Sequence, residues 1–568
     1  MDGAPFLFFP GLCPGPRLTS LAPPHSVAPL RSHLLCYNCV VSFRLARSAG
    51  VMTIATLLSR VLGLARDVVL TSIFGAGAVM DAFFVATRIP NLVRDLFAEG
   101  AMSAAFVPTF TRHLKDKGEE SAWRLGSNVI NALIIVTGGL VVLGMIFAYP
   151  LVDFYTDDAA FAHNLPLTAS LTRWALPFLT LVAIAVAQAG MLNSLRKFFI
   201  PAASPAMYNV AVIVSAFAIV PFCTALGLEP IVGIAIGSLL GGLLQIVVQW
   251  PALRTAGFRY RFVLDFRDPG LREVLLLMGP GTVGVAAAQI NLAVNTWLAT
   301  SQGDGAVTYL TYAFRLMYLP IGLFGVSVAT AAIPELARQA GGAGFTDMRR
   351  TISSALRMML VLSVPSMVGL AVLAGPITQL IYERGAFVAT DTAGVAWALV
   401  MYAPGLLGYS LVKIASPSFY SLRDARTPVL VSMTTVGANV VLNLWLVRVM
   451  GYGGLALGTA VASLINAGLL LFLLSRRIGG IDAGRVTVTF LKVAVASAVM
   501  GAAAYYAHAW LAGSVGVAND ATRAIAVAGG IGAGVLALAT AAKLLRLSEF
   551  EDTMAAILRR IRGGGTAA

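Results

Sequence analysis

The stretch SRVLGLARD, residues 59–67, places Arg60, Arg66 and Asp67 between the apolar runs VMTIATLL and VVLTSIFGAG. A second apolar stretch holds Asp81, Arg88, Arg94, Asp95 and Glu99, and others hold Arg173, Arg315 and Lys413. One arginine at the centre of a bilayer costs roughly 2.5–3.5 kcal/mol even on the lenient insertion scale, so these groups must face water or a polar partner. Helical spacing puts Arg60 and Asp67 on one face, and likewise Asp81, Arg88 and Asp95, with Pro90 able to kink the second stripe. For Arg88, Asp95 and Glu99, internal salt bridges welding helices together compete evenly with ligand binding. Arg60, Arg94 and Arg315 have fewer acids on their own helices, and Arg315 has none within two turns on YLTYAFRLMYLP. A guanidinium without a carboxylate in a bundle interior suits an anionic cargo, and its planar fork matches phosphate.

These side chains must be held by membrane helices. The 568 residues are 58% hydrophobic and only 12% charged, against about 25% charged in an ordinary soluble domain. The pattern predicts an all-α polytopic membrane protein with about fourteen transmembrane helices, from 46–73 through 524–545. Period-2 strands with aromatic girdles are not evident, which argues against a barrel. Basic residues gather in alternate connections: Arg112 to Arg124, Arg196 and Lys197, Arg254 to Arg272, Arg338 to Arg350, Arg423 and Arg426, Arg476 to Arg485, and the tail from Lys543. The net charge of +14 is therefore a topology signal, not a nucleic-acid footprint, and it predicts an inner (plasma) membrane protein with both termini cytoplasmic.

The chain also repeats itself. Pro150, Tyr155 and Phe161 recur as Pro376, Tyr382 and Phe387; Pro177 recurs as Pro404; LRKFFIP (195–201) recurs as LRDARTP (422–428); and GAGAV (75–79) is echoed by GDGAV (303–307). All offsets fall between 226 and 228. Two pseudo-symmetric six-helix lobes follow, 41–265 and 266–478, related by an axis along the membrane normal because six is even. Residues 479–546 supply two extra C-terminal helices, and 547–568 form a cytoplasmic tail. The Pro-rich residues 1–40 have no sustained period and are expected to be disordered or not translated, with a start near Val40 or Val41. Cys36-Tyr-Asn-Cys39 with His33 has the look of a metal knuckle, but no second ligand pair follows, so a chance pair is the better reading.

The blocks SRVLGLARD, FGAGAVMDAFFVATRIPNLVRDLFAEGAMSAAFVP (74–108), YERGAF (382–387) and FYSLRDARTPV (419–429) resemble the MurJ/MviN family of lipid II flippases, within the multidrug/oligosaccharidyl-lipid/polysaccharide exporter superfamily. The resemblance runs from about Val41 to the C-terminus. It implies movement of undecaprenyl-diphosphate-linked disaccharide-pentapeptide from the inner to the outer leaflet for peptidoglycan synthesis. It also implies a cationic cavity built by Arg60, Arg66, Arg94 and Arg315 with Asp81, and a lipid-tail groove on the last two helices. Arg88, Glu99 and Lys413 are candidate supporting residues. Some members of the family bind sodium; the corresponding positions here are Asn295, Asn439, Asn443, the Leu455 carbonyl and Thr459. With no carboxylate among them a hard cation is poorly served, so no cofactor is expected and sodium is doubtful. Phe314 stands where many relatives carry Asp beside the arginine at 315.

Transport by a monomer, with lipid II and membrane lipid as partners, is thus the leading expectation. The alternatives are an exporter of another lipid-linked oligosaccharide or a drug/cation antiporter of the same superfamily. A cavity for cationic drugs should be acidic, and this one is net basic. An enzyme is not expected: Asp157 and Asp158, the nearest carboxylate pair, sit in a short loop, and GxxxxGK[ST] is absent, so direct ATP use is not expected.

Overall fold

The computed structural model describes residues 55–96, 102–157, 159–341, 345–547 and 549–550. The tail 1–40 with its cysteine pair, Glu99, Asp158 and residues 551–568 lie outside them. Among the described residues every regular element is helical. Helices α1 (55–74), α2 (Ala78–Leu96), α3 (Ser103–Asp116), α4 (Gly118–Ile146) and α5 (Ala148–Tyr155) open the chain. Next come α6 (Leu165–Ala175), α7 (Phe178–Ser194), α8 (Phe199–Ala218), α9 (Val220–Ala225) and α10 (Val232–Thr255). The second run comprises α11 (Pro269–Thr300), α12 (Ala306–Pro320), α13 (Val326–Gln339), α14 (Thr346–Val372), α15 (Ala374–Tyr382), α16 (Ala389–Tyr402), α17 (Gly405–Ser421), α18 (Arg426–Met450) and α19 (Tyr452–Ile478). The hairpin α20 (Ala483–Val515) and α21 (Asp520–Leu544) closes it.

Nine helical stretches among the described residues are long and apolar enough to cross a membrane, and the bent pair α16–α17 makes a tenth. Three of the expected spans that fall short, α1, α2–α3 and α12–α13, are those that carry arginines and carboxylates in mid-helix. Polar function and low hydropathy coincide there because the charged faces turn inward, away from lipid. A large cluster built on Leu70, Met80, Phe83, Tyr312, Leu316, Tyr382 and Leu399 packs these charged helices together. Exposed Ile, Val, Leu and Phe instead cover α4, α18, α20 and α21, as expected where the solvent is hydrocarbon.

The sequence echoes have local causes. Both LR motifs end a helix in the same way. Arg196 (φ 59°) and Arg423 (φ 58°) take the left-handed conformation. Lys197 N–H then bonds Leu192 O and Asp424 N–H bonds Phe419 O, while Arg196 and Arg423 N–H reach Asn193 O and Tyr420 O. These paired bonds satisfy carbonyls that a helix end would otherwise leave bare. Pro177 and Pro404 each break a helical stretch, between α6 and α7 and between α16 and α17, and the second pair bends by 44°. The GAGAV and YERGAF motifs meet in space: Ala386 N–H donates to Ser72 O at 2.9 Å. A Cβ on Gly75 or Gly385 would overlap the facing backbone.

Candidate substrate cavity

A cavity of about 600 Å³ lies between α1, α2, α7, α8 and α10 on one side and α11 and α12 on the other. Four arginines line it: Arg66 from α1, Arg88 and Arg94 from α2, and Arg315 from α12. Neutral polar groups, among them Asn91, Asn209, Gln245, Thr296 and Thr311, complete the wall.

The arginines are partly neutralised, and this corrects the expectation that Arg94 and Arg315, with fewer acids on their own helices, stand unpaired. Asp67, only 3% exposed, bonds Arg66 at 2.8 Å and also ion-pairs with Arg315, which is remote in sequence. Arg94 pairs with its neighbour Asp95 at 2.7 Å, and Gln289 of α11 donates to the second Asp95 oxygen at 3.3 Å. Arg88 makes no ion pair among the described residues, and its Nε is buried without a hydrogen-bond partner. Among the described residues, two carboxylates against four guanidinium groups leave an excess of two positive charges at the cavity. Aromatic faces hold the cations in place: Arg66 lies over Tyr208 (5.6 Å), and Arg315 over Phe84 (5.4 Å) and Tyr312 (5.6 Å).

The remaining candidates lie elsewhere. Arg60 does not line the cavity; its guanidinium packs against Gly322, in a π-turn (Ile321–Gly325) between α12 and α13, where any Cβ would overlap it. The Arg60/Asp67 face of α1 is therefore the face that meets α12 and its extension. Asp81 is buried and caps α12. It accepts from Gly305 N–H (2.7 Å), Thr308 N–H (2.8 Å) and Thr308 Oγ1 (2.5 Å). Gly305 has φ +89° and sits against the Ala76 carbonyl, so only glycine fits. Asp81 thus orients the helix that carries Arg315. The Asp81, Arg88, Asp95 stripe sends its three members to three destinations. Lys413 is exposed on α17, and Arg173 is exposed and donates to the Met145 carbonyl.

The amide group on α11, α18 and α19 is assembled: Asn443 Nδ2 donates to Asn295 Oδ1 (2.5 Å) and Asn439 Oδ1 (3.1 Å), and Thr459 Oγ1 donates to the Leu455 carbonyl (2.9 Å). Asn443 Oδ1 is buried without a partner, close to Gly458. Among the described residues no three His, Cys, Asp or Glu side chains converge as metal ligands.

A helical membrane fold around a cationic cavity is the architecture of a transporter. The inward-facing structure of a multidrug resistance MATE family transporter of the MOP superfamily matches with a TM-score of 0.60 over 76% of this chain and 99% of that one, at 15% identity, a likeness of fold alone. The chain belongs to the MurJ family, whose model, "Lipid II flippase MurJ", matches residues 70–520. It is 36% identical over 513 residues to the probable lipid II flippase MurJ of Vibrio cholerae, covering 88% of this chain and 96% of that protein. It is 35% identical over 433 residues to the lipid II flippase MurJ of Burkholderia cenocepacia, covering 75% and 82%. The inward-closed structure of lipid II flippase MurJ superposes with a TM-score of 0.72 at 28% identity, over 87% of this chain and 99% of that one.

Proposed function

We propose that this chain is a lipid II flippase that carries the undecaprenyl-diphosphate-linked disaccharide-pentapeptide from the inner to the outer leaflet of the inner membrane. The observation that carries the reading is the cavity itself. Among the described residues its arginines exceed its carboxylates by two, and the buried Nε of Arg88 has no hydrogen-bond partner. A diphosphate brings the matching charge and acceptor oxygens. Arg66 and Arg315 share Asp67, so an incoming diphosphate competes with Asp67 for both guanidinium groups. Binding therefore loosens a clasp between α1 and α12, which is how cargo charge is coupled to rocking of the two lobes, 41–265 against 266–478, while the tail follows the α20–α21 surface.

The arginine-rich connections face the cytoplasm, which puts both termini there. Anionic cargo leaving a negative cytoplasm runs down the membrane potential, about 2.3 kcal/mol per charge per 100 mV. The neutral amide cluster of Asn295, Asn439 and Asn443 acts as a helix clasp, and sodium is not required; replacing sodium by potassium should leave flipping unchanged. The protein works as a monomer, without catalysis and without nucleic acid.

The test is complementation of cells depleted of their own flippase. Wild type should restore lipid II to the outer leaflet, while Arg88→Ala and Arg315→Ala, made at equal levels, should not. Full rescue by Arg88→Ala would sink the reading. Flipping that persists at zero membrane potential and zero ion gradients would sink the energy source.

A further inference from the structure

Residues 257–268, GFRYRFVLDFRD, link α10 to α11 as an extended strap laid along α4. Gly257 (φ +94°) turns the chain off the end of α10, with its Cα facing Trp123 and Glu119 of α4. Three buried polar side chains of α4 then hold the strap by its backbone. Arg261 N–H donates to Ser127 Oγ (3.3 Å), and Asn128 exchanges two 2.9 Å hydrogen bonds with the Asp265 backbone. Asn131 donates to the Val263 (2.8 Å) and Arg261 (3.2 Å) carbonyls and accepts from Tyr260 Oη (2.5 Å).

With its backbone turned to α4 and Phe258 buried beneath it, the strap leaves several large apolar side chains exposed. Phe262 is 83% exposed, and Tyr260, Leu264 and Phe266 are exposed as well. Among the described residues Arg254, Arg259 and Arg267 have no carboxylate at ion-pair distance; Arg254 stacks on Trp250 at 5.9 Å. Of the nearby acids, Glu120 pairs with Arg261, Glu273 with Arg112, Asp268 with the first turn of α11 and Asp265 with the Arg267 N–H, while Glu119 faces Gly257. Trp250, Arg254, Phe258, Arg259 and Tyr260 line an open concavity of about 620 Å³. The exposed large apolar residues of α4 begin at Ile134, one turn beyond Asn131. The strap therefore lies at the edge of the hydrocarbon, where free arginines meet lipid phosphates and aromatic rings meet the acyl boundary.

We propose that this strap is a docking surface for the headgroups of anionic phospholipids, separate from the cargo cavity. Arg254 and Arg259 hold the phosphate in the concavity, Arg267 adds attraction, and Phe262 and Phe266 insert beside it. The surface anchors the link between α10 and α11 to the leaflet it touches.

The test uses the purified full chain in detergent, titrated with phosphatidylglycerol or phosphatidylcholine, with bound lipid counted by native mass spectrometry. Wild type should prefer phosphatidylglycerol. Arg254→Gln/Arg259→Gln/Arg267→Gln should weaken that binding roughly a hundredfold, since each of the three arginines near an anionic surface contributes about fivefold. Inorganic phosphate at equal ionic strength should not compete. Arg315→Gln, which probes the cavity, should leave phosphatidylglycerol retention unchanged, so the two readings fail separately. Equal retention by wild type and the triple variant, no preference in wild type, or full competition by inorganic phosphate would each overturn the proposal. If the triple variant unfolds early, a fluorophore on Phe262→Cys decides instead: it should be shielded from an aqueous quencher in phosphatidylglycerol nanodiscs and not in phosphatidylcholine ones. Equal quenching in both would overturn the proposal.

Discussion

Asp81→Asn tests how α2 and α12 are held together. The carboxylate accepts three hydrogen bonds, from Gly305 N–H, Thr308 N–H and Thr308 Oγ1, all at 2.5–2.8 Å and all buried. Asparagine keeps the shape but turns one acceptor into a donor, so Nδ2 faces either the Gly305 amide or the Thr308 pair. One buried N–H is then left unsatisfied, which costs about 1–3 kcal/mol, and the surviving bonds lose their charge assistance. A net loss of about 2 kcal/mol from the closed contact shifts the open-to-closed ratio at this end roughly 30-fold. The assay is the labelling rate of Thr311→Cys, a cavity-lining position, in a cysteine-free background. An impermeant thiol reagent is added only on the side where α2 meets α12. The Asp81→Asn background should label at least about tenfold faster than the parent. Equal rates in the two backgrounds would show that the Asp81 cap does not hold this end shut.

Asp67→Asn should lower the unfolding temperature in detergent, because Arg66 and Arg315 lose their shared carboxylate. Added undecaprenyl diphosphate should then restore more stability to the variant than to wild type, and equal shifts would contradict competition between Asp67 and phosphate. Asn131→Ala removes three bonds from the α10–α11 strap and should cost about 2–3 kcal/mol at about 1 kcal/mol each, seen as faster trypsin cleavage at Arg259 and Arg261. In the turn before α18, the Thr427 backbone amide and hydroxyl bond Asp424, which with Arg477 nearby holds its carboxyl below the ordinary 3.8. A depressed folded value means the contribution is complete above about pH 4 and is lost as the pH falls through the folded value. The difference in unfolding temperature between wild type and Asp424→Asn should therefore be constant at neutral pH and shrink in acid.

Much of the membrane architecture was legible because lipid imposes one-dimensional rules. An apolar run long enough to span, such as α4 or α19, identifies itself by length and hydropathy alone. Pro177, Pro404 and the paired LR motifs, legible in the sequence only as echoes of the repeat, sit at helix breaks and helix ends, since both effects are local to a few residues. Charge pairing was not local. Arg315 read as unpaired because its own helix offers no acid within two turns, yet Asp67, on α1, reaches it. Arg60 carries the right chemistry for a phosphate site, and the resemblance set the acid Asp81 beside it, but one packs on a glycine of the π-turn and the other caps a helix.

The chain's composition and periodicity by themselves determined a helical membrane bundle with cations inside it, because hydrocarbon tolerates neither bare backbone nor unshielded charge. Only the tertiary structure decided which of those cations face the cavity and which are neutralised. Coulomb attraction depends on distance in space, and packing α1 against α12 brings together residues that the sequence keeps far apart.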